Sequence, residues 1–170
     1  MNRIENDYKS KTDNKNKQIA MILKLIMDCN FRIGNDKYKE KYNSRGISTI
    51  ERNNLKGREI KFIGKKGVEN TCIIHDKKLL SILNTLKKEK GKHIFTYKGT
   101  NISADEVNDY LKDFGDFTTK YFRTWAANIE YINGMNKNKE NHKNKSKEVI
   151  KSIAEKLNHT PAICKKNYLY

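Results

Sequence analysis

Residues 159 to 168 read HTPAICKKNY: a histidine, a helix-starting Thr-Pro pair, two lysines and a tyrosine, close to the end of a 170-residue chain. A tyrosine hydroxyl is a poor nucleophile at neutral pH, because its pKa lies near about 10. It needs cations around the group it attacks. Attack on a phosphodiester concentrates negative charge on the non-bridging oxygens, and each fixed Arg, Lys or His donor aimed at them contributes about two to three decades of rate. A further acid must protonate the leaving 5′ oxygen, a role worth about two to four decades. Such chemistry asks for two arginines, one or more lysines, a histidine and a tyrosine. It requires neither a metal nor a nucleoside triphosphate.

The chain offers such a set. Arg32 follows an apolar helix, Lys65 sits at a hairpin tip, Lys120 and Arg123 are spaced i, i+3 on one helix, and His159 precedes Tyr168. Tyr170 competes as a nucleophile, and spacing from His159 selects Tyr168. Taken singly, each residue has a plainer role. Arg32 could complement a helix C-terminal dipole, and Lys65 and Lys66 could be solvated turn residues. Lys120 and Arg123 could form the wet side of a helix whose apolar side is Phe122, Trp125 and Ile129. His159 could belong to a capping region, and Tyr168 or Tyr170 could be a surface aromatic. Five such coincidences in fixed order favour the site.

These residues depend on the elements between them. Residues 5–17, ENDYKSKTDNKNK, are polar throughout and read as part of a flexible N-terminal arm, 1–17. From Gln18, the residues Ile19, Ile22, Leu23 and Ile26 recur at helical spacing up to about Cys29. Residues 58–75 predict a β-hairpin, with Ile60 and Phe62 alternating against Lys61 and Ile63 and GKKG supplying the turn. Residues 77–88 return to helix. Ser103 with Glu106 forms a capping box for another. A further helix runs from about Thr119 to Gly134 through Phe122, Trp125, Ala126, Ile129 and Ile132. Residues 135–148, MNKNKENHKNKSKE, read as a flexible loop, and helix resumes from Val149 to Leu157. Thr160 as N-cap with Pro161 at the first helical position starts the last element. The expected fold class is α+β: one mainly α-helical domain over 18–170 with a small antiparallel sheet.

Thirty-six Lys and Arg against twenty Asp and Glu leave a net charge of +16, which points to a polyanionic partner, nucleic acid first. No apolar run approaches the roughly 18 residues of a spanning helix, and MNRIENDYKS has no signal-peptide core. The expectation is an intracellular protein without a membrane partner. Cys29, Cys72 and Cys164 are odd in number and widely spaced, which predicts reduced thiols. With no paired spacing among the cysteines or histidines, no metal site is expected.

The motifs together resemble the catalytic domain of poxvirus-type type IB DNA topoisomerases. FRIGNDKY at 31–38 is similar to the family segment bearing its first catalytic arginine, here Arg32. FIGKKG at 62–67 resembles the hairpin with the general-acid lysine, here Lys65, with Lys66 where some relatives carry an acid. KYFRTWAAN at 120–128 resembles the segment of the second catalytic arginine, here Arg123, with Lys120 assisting. HTPAICKKNY resembles the segment holding the active-site histidine and nucleophile, hence His159 and Tyr168. Tyr38 and Asn128 match positions that support the site or touch the DNA backbone. The resemblance implies relaxation of supercoiled double-stranded DNA through a 3′-phosphotyrosyl intermediate, by a monomer, without cofactor or metal. It implies a location wherever DNA is handled: nucleus, viral factory, virion or nucleoid. The family's N-terminal β-rich clamp domain has no counterpart in the sequence, so weak, salt-sensitive binding is expected. A tyrosine recombinase or integrase shares the same residue types, but usually shows H-x-x-R where this chain has Lys120-x-x-Arg123. A catalytically silent DNA-binding fragment is the other alternative.

Overall fold

A computed structural model describes residues 2–34, 44–136 and 142–169. Tyr38 lies outside them. The chain divides into two compact units, Met1–Thr119 and Lys120–Tyr170, a boundary that the sequence reading of one domain over 18–170 did not draw. As expected, the protein is mainly helical with small antiparallel sheets.

The first unit is built on α2, Lys15–Cys29, started by the Asn14 side chain accepting from the Lys17 N–H at 2.9 Å. Every residue from Gln18 to Leu23 is buried, as are Leu25 and Ile26. That is a core helix wrapped on most sides, wider than the single apolar stripe its periodicity suggests. Part of the wrapping comes from the segment expected to be an arm. Asn2–Lys9 forms α1, which packs on α2. Ile4 and Tyr8 are buried, the Tyr110 hydroxyl donates to Asp7 at 2.5 Å, and Arg3 pairs with Asp113 at 2.8 Å. Two apolar residues at i, i+4 suffice here because they land on an apolar helix already in place. A composition window cannot see that.

Helix α3, Lys77–Lys88, begins with the Asp76 side chain accepting from Leu79 N–H at 3.0 Å. That N–H holds the Asp76 carboxyl below its usual range against the opposing effect of burial, and Lys24 and the Tyr8 hydroxyl help. Burial, and then Asp76 itself, pushes the Tyr8 phenol well above its ordinary value. Because the folded carboxyl is the stronger acid, its contribution is complete above the ordinary carboxylate value of about 4. It is lost as pH falls through the lower folded value. Asp76→Ala is expected to cost about 1 kcal/mol at pH 7. In urea unfolding across a pH series, the gap to wild type should close below about pH 4.

The predicted hairpin is present. Strands β2, Glu59–Ile63, and β3, Glu69–Ile73, pair antiparallel with Ile60 opposite Cys72 and Phe62 opposite Asn70. Ile60 and Phe62 are buried, while Lys61 and Ile63 face out. A short strand β1, Leu55–Lys56, adds to β2. The two-residue strands β4, Thr96–Tyr97, and β5, Thr100–Asn101, form a second hairpin that the sequence reading did not find. Helix α4, Ala104–Lys112, carries the expected Ser103/Glu106 capping box.

The cysteines depart from expectation. Cys29, the last residue of α2, is joined to Cys72 on β3 by a disulfide, and Cys164 alone is free and buried. Counting an odd number of well-separated cysteines does not reveal that the fold brings two of them together. Across a sequence separation of 43, the chain-entropy account gives a cross-link of this kind about 4 kcal/mol of stabilisation.

The second unit contains α5, Thr119–Asn136, continued from its first residue at the boundary, α6, His142–Lys156, and α7, Pro161–Tyr168. Residues 135–136 and 142–148 are therefore helical where a loop was expected. The sides of α5 are also reversed. Trp125 is 60% exposed and Ile132 54%, with Tyr121 and Ile129 exposed as well, whereas Arg123 is 4% exposed and Thr124 and Ala127 are buried. The small residues explain this. Ala127 packs with Ile153, Ala154 and Leu157 of the α6 segment, and a Cβ on Gly134 would approach Val149 to 2.7 Å. Close helix packing favours the thin side of α5 over its bulky one.

Candidate active site

Within the second unit, the turn between α6 and α7 determines the geometry. Asn158 takes φ 52, and its N–H donates to Glu155 O at 3.1 Å while the His159 N–H donates to Ala154 O at 2.8 Å. This is a Schellman closure, with asparagine in the left-handed position. Thr160 then caps α7, its side chain accepting from Ile163 N–H at 3.3 Å, and Pro161 follows at the first helical position as expected. Two helix signals back to back therefore fix His159 in a single bend.

Helix α7 turns Cys164 and Tyr168, one turn apart, into the small core with Ala127, Ile153, Ala154 and Leu157. Arg123 reaches the same place from α5. Its Nη2 donates to Leu157 O at 2.7 Å and to His159 Nε2 at 3.0 Å. Its guanidinium carbon lies 5.7 Å from the Tyr168 ring centroid, and the rings of His159 and Tyr168 are 4.7 Å apart. A guanidinium can only donate. The histidine Nε2 therefore accepts, which leaves the proton on Nδ1 as a donor. Asn128 completes the frame: its Nδ2 donates to Thr124 O at 2.8 Å and to Tyr168 O at 2.7 Å, tying the end of α7 to α5. Burial pushes the Cys164 thiol up, so it is held as the neutral thiol beside this cluster.

Arg123, His159, Tyr168 and Asn128, picked out far apart in sequence, thus meet in one unit. Lys120 lies one turn before Arg123 on α5 but is exposed, so their i, i+3 spacing does not give them one environment. Neither the Leu157 carbonyl that anchors Arg123 nor the left-handed Asn158 that presents it is among the residues expected from sequence. An asparagine directly after an apolar helical run and before His-Thr-Pro was the available signal. Asn158→Val should cost about 1–2 kcal/mol, the strain of a left-handed non-glycine residue. It should also slow any reaction that needs Arg123 and His159 in register, whereas Asn158→Gly should keep both. Thermal melts beside single-turnover assays check the pair.

Arg32 and Lys65 belong to the first unit, where they are held near shared supports. Arg32 follows Asn30, which ends α2 at φ 55. Arg32 O accepts from Ile47 N–H at 2.9 Å and Ile33 O from Ser48 N–H at 2.9 Å. The two chain segments pinch so closely that a Cβ on Gly46 would lie 2.2 Å from Gly34 N. Lys65 and Lys66 are exposed at the hairpin tip, where Lys66 at φ 64 and Gly67 at φ 74 make the turn. Gly64, the first glycine of GKKG, has φ -98 and serves for space, since a Cβ there would lie 2.4 Å from Asn70 Nδ2. Among the described residues, the Cys29–Cys72 disulfide and the Phe31 and Phe62 rings at 4.9 Å join the Arg32 segment to this hairpin, and the adjoining segment adds the Arg45 N–H donating to Ile63 O at 2.8 Å.

Among the described residues, no group of three or more His, Cys, Asp or Glu is placed to hold a metal ion, and no helix is long and apolar enough to cross a membrane.

The sequence is 28% identical over 179 residues to DNA topoisomerase 1B of Acanthamoeba polyphaga mimivirus, covering 92% of this chain and 53% of that protein. It is 26% identical over 176 residues to DNA topoisomerase 1B of vaccinia virus (strain Copenhagen) and to DNA topoisomerase I of monkeypox virus, covering 97% of this chain and 55% of each. The chain thus spans about half the length of the curated relatives it matches. Residues 1–168 also match a family described as eukaryotic DNA topoisomerase I, catalytic core. That span takes in both helix-end turns, the hairpin and the arginine, histidine and tyrosine cluster, and the chain belongs to this family.

Proposed function

We propose that this chain breaks and rejoins one strand of duplex DNA as a type IB topoisomerase, with Tyr168 as the nucleophile. The observation that carries the reading is the clustering of Arg123, His159 and Tyr168, with the guanidinium and the imidazole both against the tyrosine ring. In the forward step the phenolic oxygen forms a bond to phosphorus and its proton passes to water. The bond from phosphorus to the 5′ oxygen breaks, and Lys65 gives that oxygen a proton. Arg123, Arg32 and the His159 Nδ1–H stabilise the charge that builds on the non-bridging oxygens. The product is a 3′-phosphotyrosyl link with a free 5′-hydroxyl. The duplex swivels, and the hydroxyl then attacks the phosphotyrosine to reseal the strand. The bond energy is conserved in the link, so neither ATP nor a metal enters the cycle. Lys120, Lys66, Tyr38 and Asn128 are assigned to DNA contact or support.

The partner is double-stranded DNA inside the cell, bound by a monomer through its phosphates. The net charge of +16 supports this, and binding should weaken steeply with salt as counterions are released. The test is incubation with supercoiled plasmid in EDTA without ATP, followed by denaturant quenching. Relaxed topoisomers and a covalent DNA adduct mapping to Tyr168 are expected. Binding without any adduct, even on a suicide duplex, would leave only a DNA-coating module.

A further inference from the structure

We propose that the Cys29–Cys72 disulfide is a positioning element for strand cleavage: it holds the segment of Arg32 against the hairpin of Lys65, and reduction by a dithiol slows the reaction. The inference rests on the topoisomerase reading for its functional arm. Cys29 is the last residue of α2, three positions before Arg32, and Cys72 lies on β3, in the hairpin whose tip carries Lys65. It is the one covalent link between the two segments. Noncovalent ties among the described residues include a ring contact between Phe31 and Phe62 and, from the segment that packs against Arg32, a backbone hydrogen bond from Arg45 to Ile63.

The disulfide fixes β3 of the hairpin to the end of α2. The hairpin's outer face is exposed at Ile63 and Ile73, and Lys65 and Lys66 are exposed at a tip where Gly64 N–H donates to Val68 O and Gly67 N–H to Gly64 O. A general acid displaced by about 1 Å loses much of its effect, because proximity and alignment make up most of what it contributes. Both cysteines are only partly buried, so a small dithiol can reach them. In the reaction a dithiol thiolate attacks one sulfur of the pair and the other leaves as a thiolate that takes up a proton. The second thiol of the reagent then displaces the first cysteine. The protein gains two thiols and the dithiol becomes a cyclic disulfide, two electrons passing from reagent to protein.

The experiment compares the oxidised chain, the dithiol-treated chain and Cys29→Ser/Cys72→Ser in single-turnover adduct formation on a suicide duplex, alongside amide hydrogen exchange. Reduction should lower the cleavage rate about tenfold or more, and the double variant should match the reduced chain and ignore the dithiol. A second duplex carries sulfur in place of the leaving 5′ oxygen. A thiolate needs no proton from Lys65, so on this duplex most of the loss should vanish. A merely destabilised fold would be slow on both. Exchange should rise at residues 31–34 and 64–68 while α7 stays protected. Unchanged exchange there overturns the inference whatever the cleavage assay reads. So do faster exchange with unchanged cleavage, equal losses on the two duplexes, or three free thiols in the protein kept from reductant. If no adduct forms in either redox state, the topoisomerase reading fails, and the role in cleavage with it, while exchange still decides whether the disulfide holds the two segments.

Discussion

Tyr168→Phe should form no covalent adduct and relax no plasmid, while still binding duplex DNA and melting within a few degrees of the parent chain. The substitution removes one oxygen and leaves the ring. The apolar contacts of Tyr168 with Ala127, Ile153 and Leu157 remain, as does its stacking near His159. The cation–π contact with Arg123 also survives, since Phe presents a similar face. The Asn128 bond goes to the backbone carbonyl of residue 168 and does not depend on the hydroxyl. Structure and chemistry therefore separate at this position. Residual adduct from Tyr168→Phe at more than trace level would move the nucleophile elsewhere, with Tyr170 the nearest alternative.

Arg123→Ala should show the second large effect, a fall of about two to three decades in single-turnover adduct formation, the usual cost of removing one fixed charge donor. It should also lower stability by about 1–3 kcal/mol, because Leu157 O and His159 Nε2 lose a buried donor. Arg123→Lys separates the two losses. It keeps the charge but has no planar fork to hold the carbonyl and the imidazole at once. Most of the stability should return and most of the rate should not. A chain that melts like the parent and cleaves within threefold of it after Arg123→Ala would remove this cluster from the reaction.

Much of this was legible in the residues themselves, because the relevant signals are local. Helix starts are set by one side chain and the N–H groups two or three positions on, so Ser103/Glu106 and Thr160-Pro161 could be read directly. The alternation of Ile60 and Phe62 is a strand signal of the same kind. The types and order of Arg32, Lys65, Arg123, His159 and Tyr168 were enough to name a chemistry. By contrast, β4 and β5 are too short to alternate, and only a turn at Lys98 and Gly99, both at positive φ, marks them.

What depended on distant partners was not legible. The polar segment 2–9 became α1 because α2 and α4 supply its contacts. The thin side of α5 turned inward because α6 packs against Ala127 and Gly134, burying Arg123 and exposing Trp125, the reverse of what side-chain hydrophobicity alone suggests. Two cysteines that looked unrelated are bonded. Sequence determined which groups could do the chemistry, since reactivity belongs to the residue type and helix ends to neighbours in the chain. Tertiary structure decided which of them are buried, cross-linked and in contact, because burial is settled by the surfaces that arrive from elsewhere in the fold.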